Sequence, residues 1–438
     1  MKNRASRSLC RLLPAIAQRP DRRRCRDLPC HRLRICGCRP RWLSLVVASP
    51  SAGAGTKAVI VGAGPAGDAV WGGLRDGGFD GQITLIGSEG ELPYERPHLS
   101  KGYLMGTVPH SRIGLRPAAQ YRDFGIDLML GHRVVDLGLE HRAVVIENGD
   151  TVAWDRLCIA TGSDARRLPE LPDAIYLREL PEAESLRMLI DRGGGLDIIG
   201  AGFIGCEVAA VARQKGGEVH VHEALAQPLL RVLGPELGAY VADVHRSHGV
   251  ELQLNVTSAP RSERPTLVGV GSVPRTELAE RAGLEVDRGV VVDERGGTSA
   301  PDVFAAGDVT RFFSPLYDAH IRVEHFQTAQ RQGYAVGVAI AGDAELPPDE
   351  VPWFWSDQYD LNLQYAGAGL PWDRTITRGQ FGKPPFTVFY MQSSKLIAVA
   401  GINDHHHVAR ARRVMAARKT VTEQQLADPG FDLRRVLA

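Results

Sequence analysis

VIVGAGPAG, Val59–Gly67, and LDIIGAGFIG, Leu196–Gly205, are two turns of one kind in one chain. Gly62, Gly64 and Gly67 stand in G-x-G-x-x-G spacing, and Gly200, Gly202 and Gly205 repeat it about 138 residues later. Each turn follows a β-branched apolar run and opens a stretch of small, helix-compatible residues, which is the strand–turn–helix context the motif needs. The first glycine allows the tight turn, the second lets backbone approach a pyrophosphate, and the third lets helix pack on strand. The helix start then offers unpaired N–H groups and partial positive charge to phosphates. Either loop alone is also compatible with an ordinary α/β turn. Two together predict a protein that holds two dinucleotides and moves electrons between them.

Working outward, each loop sits in a β-α-β unit. The first runs through KAVIVGAG, a helix from Pro65 to about Arg75, and the strand QITLIGSE, and pauses at Ala160–Gly162. The second runs from Leu196 through a helix near Ile204–Gln214 to EVHVHEA. TSAPDVFAAGDV, Thr298–Val309, then resumes the first unit, and from about Val351 the pattern turns to strands followed by a helix near Val408–Lys419. The predicted class is α/β: two Rossmann-like dinucleotide-binding lobes, one split by the other, with a C-terminal α+β domain. The expected division is 56–165 with 298–345 for the first lobe, 166–297 for the second, and 346–438 for the last domain.

The chain has 438 residues and 44% hydrophobic composition, enough for two or three domains. No stretch approaches the roughly 18–20 apolar residues of a membrane span. The net charge of +1 hides an asymmetry. Residues 1–41 carry thirteen Lys/Arg and two Asp/Glu, which leaves 39 basic against 49 acidic side chains in the remainder. Such an acidic body without a recognised module argues against nucleic acid. The basic opening, 1–55, reads as a disordered leader, a targeting arm removed from the mature protein, or residues upstream of the true start. It holds Cys10, Cys25, Cys30, Cys36 and Cys38 with no C-x-x-C pair, a poor fit to zinc. The expected location is cytoplasmic.

In dinucleotide-binding units an acid at the end of the second strand accepts the ribose hydroxyls. Glu223 is that acid in the second unit and would repel a 2′-phosphate, favouring NADH; Arg231 close by leaves NADPH an alternative. Ser88 and Glu89 occupy the corresponding region of the first unit. His405–His407 read as a surface loop rather than a metal site, so no metal is expected. Arg410, Arg412, Arg413, Arg418 and Lys419 form either a docking face for an acidic partner or a solvated helix face. After VELQLNV, Val250–Val256, the chain passes through TSAPRSERP straight to TLVGVGSVP, whose Gly269 and Gly271 end the second lobe.

PYERPHLSKGYL (Pro93–Leu104), ATG (Ala160–Gly162), GAGFIGCEVAA (Gly200–Ala210), TSAPDVFAAGDV, IRVEHFQTAQRQG and VPWFWSDQYDLNLQY together resemble the NADH-dependent ferredoxin reductases of the putidaredoxin reductase, rhodocoxin reductase and aromatic-ring dioxygenase type, over about residues 57–438. The resemblance implies FAD held by Gly62, Gly64, Ala66 and Gly67, with Ser88 or Glu89 at the adenosine ribose. It implies further FAD contacts from Arg96, Lys101, Val134, Arg166 and Asp308. It also places Phe326 where many members carry Trp against the flavin. NADH would sit on Gly200, Gly202, Ile204, Gly205, Glu223 and Gly271. Lys101 and Glu207 would form the catalytic pair between flavin and nicotinamide; the plainer reading of Glu207 is a first-turn glutamate complementing the helix dipole. Against the family pattern, the second lobe lacks about twenty residues near 257–265, its usual antiparallel cover, which leaves an impaired paralogue as an alternative.

Disulfide reductases of similar fold place two cysteines beside the flavin, whereas PHLSKGYL has none. Cys158 and Cys206 read as packing residues. Electrons therefore leave to an external one-electron acceptor. The implied acceptor is a 2Fe–2S ferredoxin feeding an oxygenase or cytochrome P450. Rubredoxin, oxygen, or a redox-responsive flavoprotein that turns over no acceptor are the alternatives.

Overall fold

The computed structural model describes residues 55–257, 263–342 and 350–437. The basic leader with its five cysteines lies outside them, as does part of the shortened stretch after Val256.

Lys57–Val61 and Gln82–Gly87 pair in parallel around the helix Pro65–Asp76, closing the first β-α-β unit. Their sheet has five strands in the order Val303–Ala305, Arg156–Ile159, Lys57–Val61, Gln82–Gly87 and Ile126–Leu130. Every adjacent pair in it is parallel. Its outermost strand comes from far down the chain, so the first lobe is completed only after the second has been built. The continuous apolar run of Ala58–Val61 fits a strand covered on both faces. One cover is a three-stranded antiparallel meander, Val134–Asp136, Ala143–Ile146 and Thr151–Ala153. The other is the pair of helices Pro65–Asp76 and Phe326–Ala341. These approach so closely that a Cβ on Gly73 would lie 2.1 Å from the Tyr334 carbonyl oxygen, and one on Gly337 2.1 Å from that of Val70. Only hydrogen at those positions permits the contact.

The second sheet is parallel, in the order Glu251–Leu254, Val219–Glu223, Leu196–Ile199 and Thr266–Val268. Ser163–Ala165 and Ser272–Pro274 pair antiparallel where the chain leaves the first lobe and returns to it. Among the described residues no antiparallel meander covers the second sheet, in contrast to the first. The final sheet is antiparallel, in the order Trp353–Gln358, Leu361–Gly367, Lys395–Ile402, Phe386–Gln392 and Arg374–Arg378, with the helix His405–Ala416 packed on it. Its inner face shares a core with the second lobe: Leu196, Ile198, Val208 and Val221 join Leu363, Tyr365, Val388 and Tyr390 in one apolar cluster. Each such side chain contributes about 1.5–3 kcal/mol by leaving water. No helix among the described residues is long and apolar enough to cross a membrane.

Candidate functional site

Both glycine loops open into a cleft of about 1220 Å³. That exceeds the roughly 300–1,000 Å³ of a site for one small ligand. In the first loop Gly62 has φ 119°, and a Cβ there would lie 2.2 Å from the Ala160 oxygen; on Gly67 it would lie 1.9 Å from the Gly62 oxygen. On Gly64 it would meet nothing, so that glycine leaves an open wall. The second loop repeats the pattern. A Cβ on Gly200, φ 96°, would fall 2.5 Å from the Gly269 oxygen, and one on Gly205 2.0 Å from the Gly200 oxygen, whereas Gly202 clears Gly269 at 3.5 Å. First and third glycines thus serve backbone packing and the second leaves room for a ligand, the cradle a pyrophosphate requires. Gly67 and Gly205 accordingly lie behind the cleft wall rather than on it.

Around the first loop, Ala66, Ser88, Glu89, Arg96, Val134, Asp308 and Phe326 line the cleft. Both carboxylate oxygens of Glu89 are already engaged. Its Oε1 pairs with Arg96 at 2.5 Å, and its Oε2 accepts from Tyr94 Oη at 2.5 Å. Arg96 also donates to the Arg178 carbonyl at 2.8 Å, which ties the Pro93–Lys101 segment to the stretch that leads into the second lobe. Ser88, exposed on the wall, fits a ribose better than the doubly engaged Glu89. Asp308 accepts from Ser163 Oγ at 3.1 Å and pairs with Arg178 at 3.2 Å. Phe326 opens the helix Phe326–Ala341.

In the second lobe Glu223 ends its strand, as the spacing predicts. It is buried, and its oxygens accept from the backbone N–H of Ala201 at 2.6 Å and of Leu225 at 2.8 Å. The carboxylate therefore ties the glycine loop to the following turn while facing the cleft. Ile204 and Gly271 line the same wall; Ile204 is exposed, an apolar side chain open to a ligand. Arg166 is exposed at the interlobe crossing beside the cleft: its backbone N–H donates to the carbonyl of cleft-lining Gly271 at 2.9 Å, and its Nε would stand 4.0 Å from a Cβ on that glycine.

Between the loops, Lys101 Nζ lies 2.8 Å from Glu207 Oε2. Glu207 falls in the second turn of the helix Phe203–Gln214 rather than the first, one residue past reach of the orphan N–H groups. It is 2% exposed and so needs partners elsewhere. Ser100 Oγ donates to Oε2 at 2.5 Å and Ser356 Oγ to Oε1 at 2.7 Å. Lys101 Nζ also sits 6.0 Å from the Trp355 ring centroid. Sequence reasoning missed Ser100, Ser356 and Trp355 as site residues, although all three lie inside the quoted segments; only pairing across lobes shows what they touch.

Other expectations change with the structure. His405–His407 form the first turn of a helix, not a loop, because Asp404 caps it and pairs with His407 Nδ1 at 2.8 Å. No group of side chains suited to a metal ion occurs among the described residues. That helix ends at Ala416, leaving Arg418 and Lys419 beyond it. Arg412 is no solvated or docking residue: its guanidinium lies 5.0 Å from the Trp353 ring centroid, and burial pulls it down to about 10. Cys158 and Cys206 are free and buried, and burial pushes both thiols up, away from nucleophilic character.

Two parallel lobes facing one another across a cleft, each with a dinucleotide loop, define a two-dinucleotide oxidoreductase. Residues 56–263 and 264–333 match the pyridine nucleotide-disulphide oxidoreductase model, and 353–437 match the reductase C-terminal model. The chain belongs to the pyridine nucleotide-disulphide oxidoreductase family. It is 38% identical over 403 residues to the ferredoxin–NAD(+) reductase component of the anthranilate 1,2-dioxygenase system of Burkholderia cepacia, covering 86% of this chain and 98% of that one. It is 34% identical over 413 residues to putidaredoxin reductase of Pseudomonas putida, covering 88% and 97%. The solved covalent putidaredoxin reductase–putidaredoxin complex superposes with a TM-score of 0.84 at 33% identity, covering 88% of this chain and 99% of that one.

Proposed function

We propose that this protein is an FAD-dependent ferredoxin–NAD(+) reductase that passes electrons from NADH to a 2Fe–2S ferredoxin serving an oxygenase or cytochrome P450. The observation that carries the reading is the Lys101–Glu207 pair, set between two facing dinucleotide loops with no cysteine pair beside it. The curated relatives include reductases of dioxygenase systems, which supports the same class of acceptor.

FAD fits the first loop: Gly62–Gly67 would hold its pyrophosphate, Ser88 its adenosine ribose, and Arg96, Lys101, Val134, Asp308 and Phe326 the remainder. NADH fits the second loop, on Gly200, Gly202, Ile204, Gly271 and Glu223. Bound there, FAD supplies the chemistry of accepting a hydride and releasing electrons singly. Lys101 brings a fixed positive charge to the meeting point and stabilises negative charge that develops there. Glu207 holds that ammonium in place and keeps the site locally balanced. Phe326 and Trp355 exclude water from the same region of the cleft. Since NADH is an intracellular reductant, the proposed location is the cytoplasm. We assign 56–165 with 298–345 to the flavin lobe, 166–297 to the nicotinamide lobe, and 346–438 to the C-terminal domain.

The test is anaerobic titration with NADH, followed by cytochrome c reduction with and without added ferredoxin. Bleaching of the flavin by about one equivalent, with reduction dependent on ferredoxin, is expected. Direct turnover with oxygen or rubredoxin alone would reassign the acceptor. A long-lived reduced complex that turns over with none would make the protein a redox-responsive binder, and a yellow protein NADH does not bleach would make it an impaired paralogue.

A further inference from the structure

Glu207 is the inner end of a row of buried polar groups. Ser356 Oγ, which donates to it, lies 3.0 Å from Gln358 Nε2. Gln358 Oε1 lies 2.9 Å from His245 Nε2, and His245 Nδ1 lies 3.3 Å from Tyr359 Oη. The Tyr359 ring closes the outer end by stacking on His248 at 3.7 Å. Ser356, Gln358 and His245 are each no more than 2% exposed.

The chemistry of the groups fixes the direction of every bond. An ionised carboxylate only accepts, so the single Ser356 hydroxyl hydrogen points to Glu207. Ser356 Oγ must then accept, which assigns the Gln358 amide N–H₂ to it and turns the Gln358 carbonyl to His245. That carbonyl only accepts, so His245 carries its hydrogen on Nε2. Burial pulls the imidazole down to about 4, so the ring is neutral with one N–H and Nδ1 is free to accept from Tyr359. All four donors therefore point at Glu207, an arrangement in which each bond strengthens the next.

Two features set this row apart from incidental packing. Phe354, Ser356 and Gln358 alternate on one strand and share a face, and apolar side chains at the latter two positions would pack at no polar cost. Tyr359 sits in the hairpin after that strand at φ 58°, a conformation that glycine or asparagine ordinarily takes there. The chain keeps a tyrosine in it whose hydroxyl reaches His245.

We propose that Ser356, Gln358 and His245 are positioning residues for Glu207, a one-directional row of donors that fixes its carboxylate with Oε2 facing Lys101. This rests on the reading of Lys101 and Glu207 as the pair between the two cofactors. By it, three side chains of the C-terminal sheet and the helix Leu230–Ser247 that stand outside the cleft lining complete the reaction centre.

The experiment has two arms on the full chain. In the first, the ¹⁵N-histidine-labelled protein is examined by NMR. His245 should show a hydrogen on Nε2 that exchanges slowly with water, and Gln358→Leu should abolish that protection. In the second, the FAD-loaded protein is mixed anaerobically with NADH in a stopped-flow instrument. Ser356→Ala should slow flavin bleaching at saturating NADH by about ten- to a hundredfold, the usual consequence of removing a hydrogen bond to a charged group, and Gln358→Leu, which removes the neutral bond behind it, by about two- to tenfold. The half-saturating NADH concentration should stay unchanged. Ser356→Thr, which keeps the hydroxyl, should restore most of the rate and shows that loss is not misfolding. In a Glu207→Gln background, Ser356→Ala should cost nothing further. An Nδ1–H tautomer in the wild type, wild-type bleaching in both variants, or fully multiplicative losses in the double variant would overturn the proposal. If the wild type binds FAD but NADH does not bleach it, the underlying reading fails instead, a result that the NMR arm does not share.

Discussion

Lys101 and Glu207, 106 positions apart in the chain, meet at 2.8 Å where the two dinucleotide loops face each other. Lys101 follows a short helical turn, Arg96–Ser100, pinned to the first lobe by the Arg96–Glu89 pair, and Glu207 belongs to the helix that opens the second. The pair is therefore made only when both lobes are in place.

Removing either charge should slow hydride transfer without displacing the flavin. Lys101→Met and Glu207→Gln are expected to keep the yellow colour and lower the anaerobic bleaching rate by about tenfold or more, since each loses a charge-assisted hydrogen bond in a water-poor site. Stopped-flow absorbance beside flavin content checks this; an unchanged rate in both variants removes the pair from the chemistry.

The three glycines of the first loop should separate by mechanism. Gly67→Ala drives a methyl to 1.9 Å from the Gly62 oxygen and should lower the melting temperature with or without FAD. Gly64→Val meets open space and should melt normally as apoprotein yet retain little flavin, because its side chain fills only the space a pyrophosphate needs. Melting curves of apo and reconstituted protein distinguish the two outcomes.

Glu223→Ala should weaken NADH and narrow its advantage over NADPH. The loss is expected to reach about tenfold in apparent KM for NADH, because the variant also releases the Ala201 and Leu225 N–H groups that shape the loop. Steady-state kinetics with both nucleotides measure it; an unaltered preference would reassign cofactor choice to Arg231 or another residue.

Acid should destabilise the fold before its carboxylates titrate. Burial lowers His245 and His325 to about 4 from the ordinary 6.5. Between those values the unfolded chain binds protons that the folded chain refuses, so stability is full above about pH 6.5 and falls as pH drops towards 4. Each histidine accounts for at most roughly 3 kcal/mol over that window. Asp404 acts lower down: against the burial that would raise it, hydrogen bonds from His407 and Thr387 hold it at about 2. Urea midpoints from pH 7 to 4.5 should fall, and His325→Phe should flatten the slope.

The sequence by itself determined the two dinucleotide units, their order, the split first lobe and the C-terminal sheet. Local patterns write those elements into the chain: here each G-x-G-x-x-G loop follows a β-branched apolar run and precedes small, helix-compatible residues, and the strand and helix form there. Glu223 was legible from its place at the end of the second strand of its unit, and Lys101, Glu207 and Asp308 from the segments that resemble the ferredoxin reductases.

Tertiary structure alone decided which groups meet. It tied the Arg166 backbone to Gly271 at the interlobe crossing, and occupied Glu89 with Arg96 and Tyr94. It turned His405–His407 into a capped helix start through Asp404, and laid the half-buried Arg412 against Trp353. It also joined Ser356, Gln358 and His245 into one row ending at Glu207. No local pattern marks His245, whose partner Gln358 lies 113 positions away, because hydrogen bonds between elements depend on packing between lobes rather than on period or spacing.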